Sequence, residues 1–244
     1  MAVRLLEFLL LGVLLLFGNL SSLQADQSYT MPLLGGRWAS FIITVQVPTS
    51  PALLHNATIS AMESWNSGQL WFTQAYFTGA PTYTFSLSSN GAVAVEFLDM
   101  SNETSVGEAQ LMPWPLSGKV IEGAIVKLPT AFGGANFTSP LYASWLTALA
   151  IHELGHVLGL GHPKIPDIMN GTANSFFLST LDLYAVHVLA DGQVPDSTTL
   201  PSNIPYTYAP GSVIPEFPKS SVLMLSFAIA FSVLFIRLRK RDLP

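Results

Sequence analysis

The stretch "IHELGHVLGLGH", residues 151–162, holds three of the five histidines in this chain of 244 residues. His152 and His156 are four positions apart, so on a helix they lie on one face, about 6 Å from each other. This spacing lets two imidazole nitrogens approach one metal ion at about 2.1 Å each. Glu153 lies about 100° further round the helix and can face the open side of that ion. The pattern predicts a metal site with a carboxyl group beside it.

A third ligand requires the chain to turn. His162 would point away from the ion if the helix continued straight beyond His156. Gly159 can adopt a positive φ, which would turn the chain sharply and bring His162 back to the ion. Without a metal, three histidines in a nearly charge-free helix would be costly to bury. The isolated His55 and His187 are expected to be surface or packing residues.

Residues 152–162, "HELGHVLGLGH", match the HExxHxxGxxH signature of the metzincin metallopeptidases. The following "DIM", residues 167–169, resembles the Met-turn that lies beneath the metal in that clan. Within the clan the chain is most similar to the matrixins, over residues 38–190 and most strongly over 145–190.

The resemblance implies a zinc-dependent endopeptidase. His152, His156 and His162 would hold catalytic zinc, and Met169 would support the site without binding the metal. Glu153 would be the general base that takes a proton from a zinc-activated water molecule.

The resemblance also implies where a peptide or protein substrate binds. The segment "GEAQLMPW" resembles the edge strand of the family, on which an extended peptide pairs as an additional strand. Backbone groups of Ala109, Gln110 and Leu111 would orient that peptide. Asn170 and Gly171 would line the pocket for the first side chain beyond the cleaved bond.

Several family features are missing from the sequence. The chain has no cysteine, and therefore no cysteine switch. No histidine lies between positions 55 and 152, so we expect no second, structural zinc. Gly171 stands two residues after Met169, where some metzincins have a tyrosine, which excludes a fifth metal ligand from that position. Calcium is possible, but the sparse acidic residues do not assign a site for it.

The elements around the motif predict an α+β fold with a mixed sheet backed by helices. Residues 38–47 are typical of a strand, and residues 53–65 have helical spacing that we expect to end at Gly68. Further strands are predicted at 82–88, 92–100, 107–114 and 121–129.

Two later helices complete the predicted domain. One has Ser139 as its N-cap and Pro140 at its first position, is apolar nearly all round over residues 141–158, and ends at Gly159. The other begins with a capping box of Ser179 and Asp182 and ends at Gly192. The resemblance implies a metzincin-like zincin domain, which has a twisted mixed sheet with an edge strand over the cleft, a backing helix, an active-site helix, a Met-turn and a C-terminal helix.

Outside this domain, composition predicts a tethered, exported protein. The predicted parts are a signal peptide (1–25), the catalytic domain (26–192), a Pro/Ser/Thr-rich linker (193–219), a transmembrane or sorting helix (220–236) and a basic cytoplasmic tail (237–244). An uncleaved N-terminal anchor is the alternative for the first part. The basic tail is expected to stay inside, which places the catalytic domain outside the cell.

The C-terminal end has two interpretations. "PEFP", residues 215–218, followed by an apolar run and a basic end, resembles the PEF-type sorting signals of archaeal surface proteins. That resemblance implies an archaeosortase as a partner, which would remove the helix. A retained transmembrane anchor is the alternative, and both place the domain at the cell surface.

Composition and the predicted metal site together limit the classes of function that the chain can have. Charged residues make up 10% of the chain and the net charge is −5, so no basic face for nucleic acid is predicted. Sequons at Asn56, Asn102, Asn136 and Asn170 are candidate glycosylation sites. A non-catalytic surface or adhesion protein with a structural zinc is the alternative function. Such a site would have a fourth protein ligand and no need of Glu153, so the sequence favours catalysis.

Overall fold

The structure, a computed structural model, describes residues 28–113, 120–171 and 176–210. These residues form an α+β fold with a mixed, curled sheet and three α-helices. The strands are β1 (Thr30–Pro32), β2 (Arg37–Trp38), β3 (Ile42–Gln46), β4 (Thr84–Leu87), β5 (Val93–Asp99), β6 (Glu108–Met112), β7 (Val120–Ile121), β8 (Gly123–Phe132), β9 (Ala135–Asn136) and β10 (Ser197–Thr199). The helices are α1 (Ala52–Tyr76), α2 (Ala143–Val157), which follows a 3-10 turn at Pro140–Tyr142, and α3 (Thr180–Ala190).

The main sheet is six-stranded, with the order β4-β3-β5-β8-β6 and with β9 paired to β8. Strands β4, β3, β5 and β8 are parallel, whereas β6 is antiparallel to β8 and lies at one end of the order. The side chains alternate between the faces of the sheet, so that Ile43, Val45, Val93 and Val95 point into the core. The place of β6 at the end of the strand order agrees with the edge position that the family resemblance implies.

Helix α1 is longer than the sequence predicts. It does not end at Gly68 but continues to Tyr76, and Phe72 lies buried on its extended apolar face. A Cβ added to Gly68 would lie 3.2 Å from side-chain atoms of Leu178 and Leu183, so this glycine permits close packing inside the helix. Glycine costs about 1 kcal/mol relative to alanine in a helix interior, which the burial of one aromatic side chain outweighs.

Helix α2 passes through the core and carries the first two histidines. Leu146, Ile151 and Leu154 are fully or almost fully buried on it. The Trp65 indole N–H donates to the Ile151 carbonyl at 2.9 Å, which joins α1 to α2. Gly159 follows the helix with φ +98°, so the predicted left-handed stop is confirmed.

Helix α3 begins as the sequence predicts. The Ser179 side chain accepts from the Asp182 backbone N–H, and the Asp182 side chain accepts from the Ser179 backbone N–H. This is the reciprocal pairing of a capping box. Gly192, with φ +86°, follows the helix.

The sequence predicts a linker over residues 193–219, but in the structure residues 193–210 pack against the domain. β10 pairs antiparallel with β1, and Leu200, Ile204 and Ala209 are buried. The prolines and polar residues keep this segment extended, but its spaced apolar side chains give it an inner face that packs on the core. Residues 211–219 lie outside the described part of the chain.

The predicted signal peptide (1–25), the transmembrane or sorting helix (220–236) and the basic tail (237–244) also lie outside the described residues. Among the helices that the structure describes, none combines the length and hydropathy needed to cross a bilayer.

Candidate metal centre

Three imidazole rings converge where α2 ends. His152 and His156 come from successive turns of α2, and the turn at Gly159 brings His162 to them, as the sequence predicts. The Nε2 atom of His152 lies 3.1 Å from Nε2 of His156 and 3.1 Å from Nε2 of His162. One ligand atom from each ring lies within 4.8 Å of the others, so this cluster could hold a metal ion such as zinc.

Backbone carbonyls orient two of the rings. Nδ1–H of His152 donates to the Ile168 carbonyl at 2.7 Å, and Nδ1–H of His156 donates to the Leu160 carbonyl at 2.7 Å. A carbonyl oxygen can only accept, so in each neutral ring the proton sits on Nδ1. The Nε2 atoms that face each other therefore present lone pairs.

These lone pairs fit a metal ion better than they fit each other. The Nε2 atoms of His152 and His156 are within hydrogen-bonding distance, but neither carries a hydrogen to donate when both Nδ1 atoms are protonated. Two bare lone pairs at 3.1 Å repel unless a cation lies between them. Tetrahedral zinc with Zn–N bonds of 2.0–2.1 Å would separate its ligand nitrogens by about 3.3 Å, close to the spacing found.

Burial keeps the three imidazoles neutral. It lowers the pKa of His152 and of His162, and it lowers the pKa of His156 to about 3 with smaller contributions from the other two rings. Neutral imidazole is the form that binds metals, so at pH 7 a metal can bind without first displacing a proton from the cluster.

Glu153 lies beside the histidines in the same cleft. Its side chain is buried, and this burial, with a smaller contribution from the charge of Glu108, raises its pKa to about 8. The backbone at Gly107 approaches it so closely that an added Cβ would overlap Oε1 of Glu153. The carboxyl group is thus enclosed by α2 on one side and by the chain entering β6 on the other.

The segment after the third histidine passes beneath α2. Met169 is fully buried, and a Cβ added to Gly155, which lies between His152 and His156, would overlap its Sδ atom. The Met169 backbone N–H donates to Oδ1 of Asp167 at 3.0 Å. Met169 therefore supports the helix that carries the ligands, at the position that the resemblance implies.

A buried acid pair holds this segment to α3. Oγ of Ser179 lies 2.7 Å from Oδ2 of Asp167 and 2.9 Å from Oδ2 of Asp182, and the Tyr206 hydroxyl donates to Asp167 at 3.2 Å. Burial, and then the neighbouring Asp167 carboxylate, raise the pKa of Asp182 well above its ordinary value. The fold therefore favours the protonated form of Asp182.

The histidine cluster opens into a cleft of about 590 Å³, which three of the predicted substrate-binding residues line. These are Ala109, Asn170 and Gly171. Gln110 and Leu111 do not line it. Gln110 points to solvent, and Leu111 lies deeper on the Ala109 face, within the core.

Other residues of the cleft were not predicted. Trp145, Ala148 and Leu149 line it from the face of α2 that also carries His152 and Glu153. Their helical spacing is a signal that the sequence contained. The remaining residues come from other elements and were not predicted to line the cleft: Thr104, Ser105, Val106, Gly107, Glu108, Phe132, Ile168 and Phe176.

The other two histidines stay outside the cluster. Nδ1 of His55 lies 2.9 Å from the Pro48 carbonyl, and the His187 ring stacks on Phe77 with centroids 4.0 Å apart. Both are packing residues, as expected.

Comparison with known proteins adds little to this geometry. No family model and no curated protein matches the chain. A solved structure titled "GM1 bound form of the ECX AB5 holotoxin" contains a chain with 13% sequence identity and a TM-score of 0.39, which covers 67% of this chain and 88% of that one. A similarity this weak says nothing about activity.

Proposed function

We propose that this protein is a zinc-dependent endopeptidase of the metzincin type, tethered to the outer face of the cell membrane. The observation that carries the proposal is the convergence of three imidazole Nε2 atoms beside a buried glutamate in one open cleft. A structural zinc would be enclosed by four protein ligands. Within the described residues, the ligand cluster has three, and it faces the cleft.

The residues of the cluster have separate roles. His152, His156 and His162 would bind zinc through Nε2. When bound, zinc lowers the pKa of a water molecule and polarises a carbonyl group. Glu153 accepts the proton of the attacking water and then donates it to the leaving amine. The pKa of about 8 that burial gives Glu153 is close to neutral, which suits a group that must both gain and lose a proton.

The cleft supports an extended peptide as the substrate. β6 lies at the end of the strand order, so its outer edge is available for an added strand. The aromatic and aliphatic side chains of Trp145, Leu149 and Phe132 line the cleft beside it. These surfaces favour a substrate segment with a large apolar side chain next to the cleaved bond.

The experiment that tests the enzyme proposal compares the parent chain with Glu153→Gln. This change keeps the size of the side chain but removes its ability to accept a proton. We expect Glu153→Gln to retain zinc, measured by elemental analysis, and to hydrolyse casein about 100- to 10,000-fold more slowly. Glu122→Gln is the matched control, since Glu122 is exposed and does not line the cleft.

Two results would contradict the proposal. One is casein hydrolysis by Glu153→Gln at the parent rate. The other is a parent chain that binds no zinc.

The location at the membrane rests on the sequence of residues 220–241. Mass measurement of the intact protein extracted from membranes separates a retained helix from one removed by a sorting enzyme. Recovery of the protein in the cytosol with residues 1–25 attached would contradict the surface location.

A further inference from the structure

The N-terminal segment Tyr29–Trp38, called here the N-terminal clamp, lies between the C-terminal part of the chain and the turn that leads to His162. On one side, the Leu33 backbone N–H donates to the Asp196 carbonyl at 2.9 Å, and β1 pairs with β10. On the other side, Leu33 forms an antiparallel bridge with Leu160. The clamp thus joins two parts of the molecule that are distant in sequence.

The clamp holds both ends of the tripeptide 159–161. The Leu34 backbone N–H donates to the Gly159 carbonyl at 2.8 Å, and the Gly161 backbone N–H donates to the Pro32 carbonyl at 2.7 Å. The approach is close, because a Cβ added to Gly159 would lie 2.8 Å from the Gly36 carbonyl oxygen. A Cβ added to Gly161 would lie 3.0 Å from the Pro32 carbonyl oxygen, so this glycine is also tightly packed against the clamp.

The tripeptide acts on two of the three histidines. Leu160, at its centre, supplies the carbonyl that accepts Nδ1–H of His156 at 2.7 Å, and His162 follows directly after Gly161. The Trp38 indole N–H donates to the Val157 carbonyl at 2.8 Å, which fixes the last turn of α2. The contacts of the clamp therefore bear on the orientation of His156 and on the placement of His162.

We propose that the N-terminal clamp is the positioning element of the metal centre and that zinc affinity depends on its docking. This inference rests on the proposed zinc site. A turn with two glycines has large conformational freedom of its own. The clamp removes that freedom before the metal binds, so binding does not have to order His162.

A pair of glycine variants tests the clamp. Gly159 and Gly192 both follow a helix with positive φ, of +98° and +86°, but only Gly159 contacts the clamp. Gly159→Ala and Gly192→Ala therefore share the backbone strain. They differ in the overlap with the Gly36 carbonyl and in a 3.1 Å contact with the end of the Leu189 side chain, which can move. We expect Gly159→Ala to bind zinc about 10- to 100-fold more weakly than the parent, in competition with a chromophoric chelator. Gly192→Ala should bind zinc as the parent does.

A pair of tryptophan variants tests the clamp from its own side. Trp38→Phe and Trp65→Phe each remove a buried indole N–H that donates to a carbonyl of α2. Only the Trp38 bond lies at the end of α2 that leads to the turn. We expect Trp38→Phe to weaken zinc binding about tenfold and to change the visible spectrum of the cobalt-substituted protein. Trp65→Phe should lower stability without either effect.

The outcomes separate the two proposals. The loss expected for a ligand-orienting contact is well above twofold. If Gly159→Ala and Trp38→Phe both bind zinc within about twofold of the parent affinity, the clamp proposal is overturned and the enzyme proposal still stands. If Gly159→Ala fails to fold by circular dichroism, Trp38→Phe decides. A parent chain without zinc affinity would overturn both.

Discussion

At the scale of single residues, the orientation of the histidine cluster depends on backbone atoms that lie behind the rings. The Ile168 carbonyl accepts Nδ1–H of His152, and the Leu160 carbonyl accepts Nδ1–H of His156. The Nε2 lone pairs of these two rings therefore face the ring of His162. A carbonyl is a backbone group, so its position depends on the path of the chain rather than on residue type. This is why the ligands could be predicted and the groups that orient them could not.

A substitution at Gly155 tests how tightly Met169 packs beneath α2. In Gly155→Ala, helix propensity alone would stabilise the protein by about 1 kcal/mol. The new Cβ would overlap Sδ of Met169 and lie 3.1 Å from the Trp65 ring, and such overpacking costs about 1–3 kcal/mol. We expect the overlap to dominate, with a lower free energy of unfolding in denaturant titration of the zinc-free protein.

The matched control is Gly68→Ala, also within a helix. Its new Cβ would meet only the ends of two leucine side chains, at 3.2 Å, and these can move. We expect this variant to be as stable as the parent or up to about 1 kcal/mol more stable. Equal losses in both variants would contradict the role given to Met169.

At the scale of elements, the buried acid pair of Asp167 and Asp182 connects the segment that carries Met169 to the N-terminus of α3. Asp167 binds the Met169 backbone, Asp182 caps α3, and the Ser179 hydroxyl contacts both carboxyl groups. The capping box could be predicted because its residues are three positions apart. The contact with Asp167 could not be predicted, because Asp167 and Ser179 are 12 positions apart and no helical or strand spacing relates them.

The acid pair predicts a pH dependence of stability. The folded protein raises the pKa of Asp182, so folding takes up a proton at pH values above the ordinary pKa of about 4. The stability that Asp182 contributes is therefore complete at low pH and is lost as pH rises towards its folded pKa, by at most about 1.4 kcal/mol per pH unit.

Asp182→Asn removes this titration and keeps a neutral group that can donate to Asp167. We expect the free energy of unfolding of Asp182→Asn to fall less steeply above pH 4 than that of the parent, measured by urea titration at several pH values. Asp196→Asn, a change at an exposed aspartate, is the control and should retain the parent slope. Parallel pH profiles for the parent and Asp182→Asn would contradict the assignment.

At the scale of the whole molecule, the two ends of the described chain complete the domain together. The Leu200 backbone N–H donates to the Tyr29 carbonyl, and the rings of Tyr29 and Tyr206 stack with centroids 4.4 Å apart. The C-terminal segment 193–210 is thus part of the domain core, and it holds the N-terminal clamp from outside.

A substitution of Ile204 tests how much the segment 193–210 contributes to the free energy of unfolding. Its side chain is 4% exposed, so Ile204→Ala would remove buried apolar surface and leave a cavity. We expect a loss of about 2–4 kcal/mol in the free energy of unfolding. Ser202→Ala, at a nearby exposed position, should change it by less than about 0.5 kcal/mol. If both variants unfold at the parent denaturant concentration, the segment is not part of the cooperative domain.

The sequence by itself determined the features that depend on near neighbours in the chain. The spacing of His152 and His156, the positive φ of Gly159 and the capping box at Ser179 follow from helix geometry and from glycine sterics, which act over a few residues. The α+β class followed from the order and composition of whole segments, whereas the edge position of β6 was implied only by the family resemblance.

Only the tertiary structure decided the features that join distant parts of the chain. Gly68 has the residue type of a helix stop, but packing against Leu178 and Leu183 keeps it inside α1. Residues 193–210 have the composition of a linker, but the surface offered by β1 and α3 makes part of them core. The physical reason is the same in both cases: burial free energy belongs to pairs of surfaces, and one of the two surfaces lies too far along the chain for a local pattern to show it.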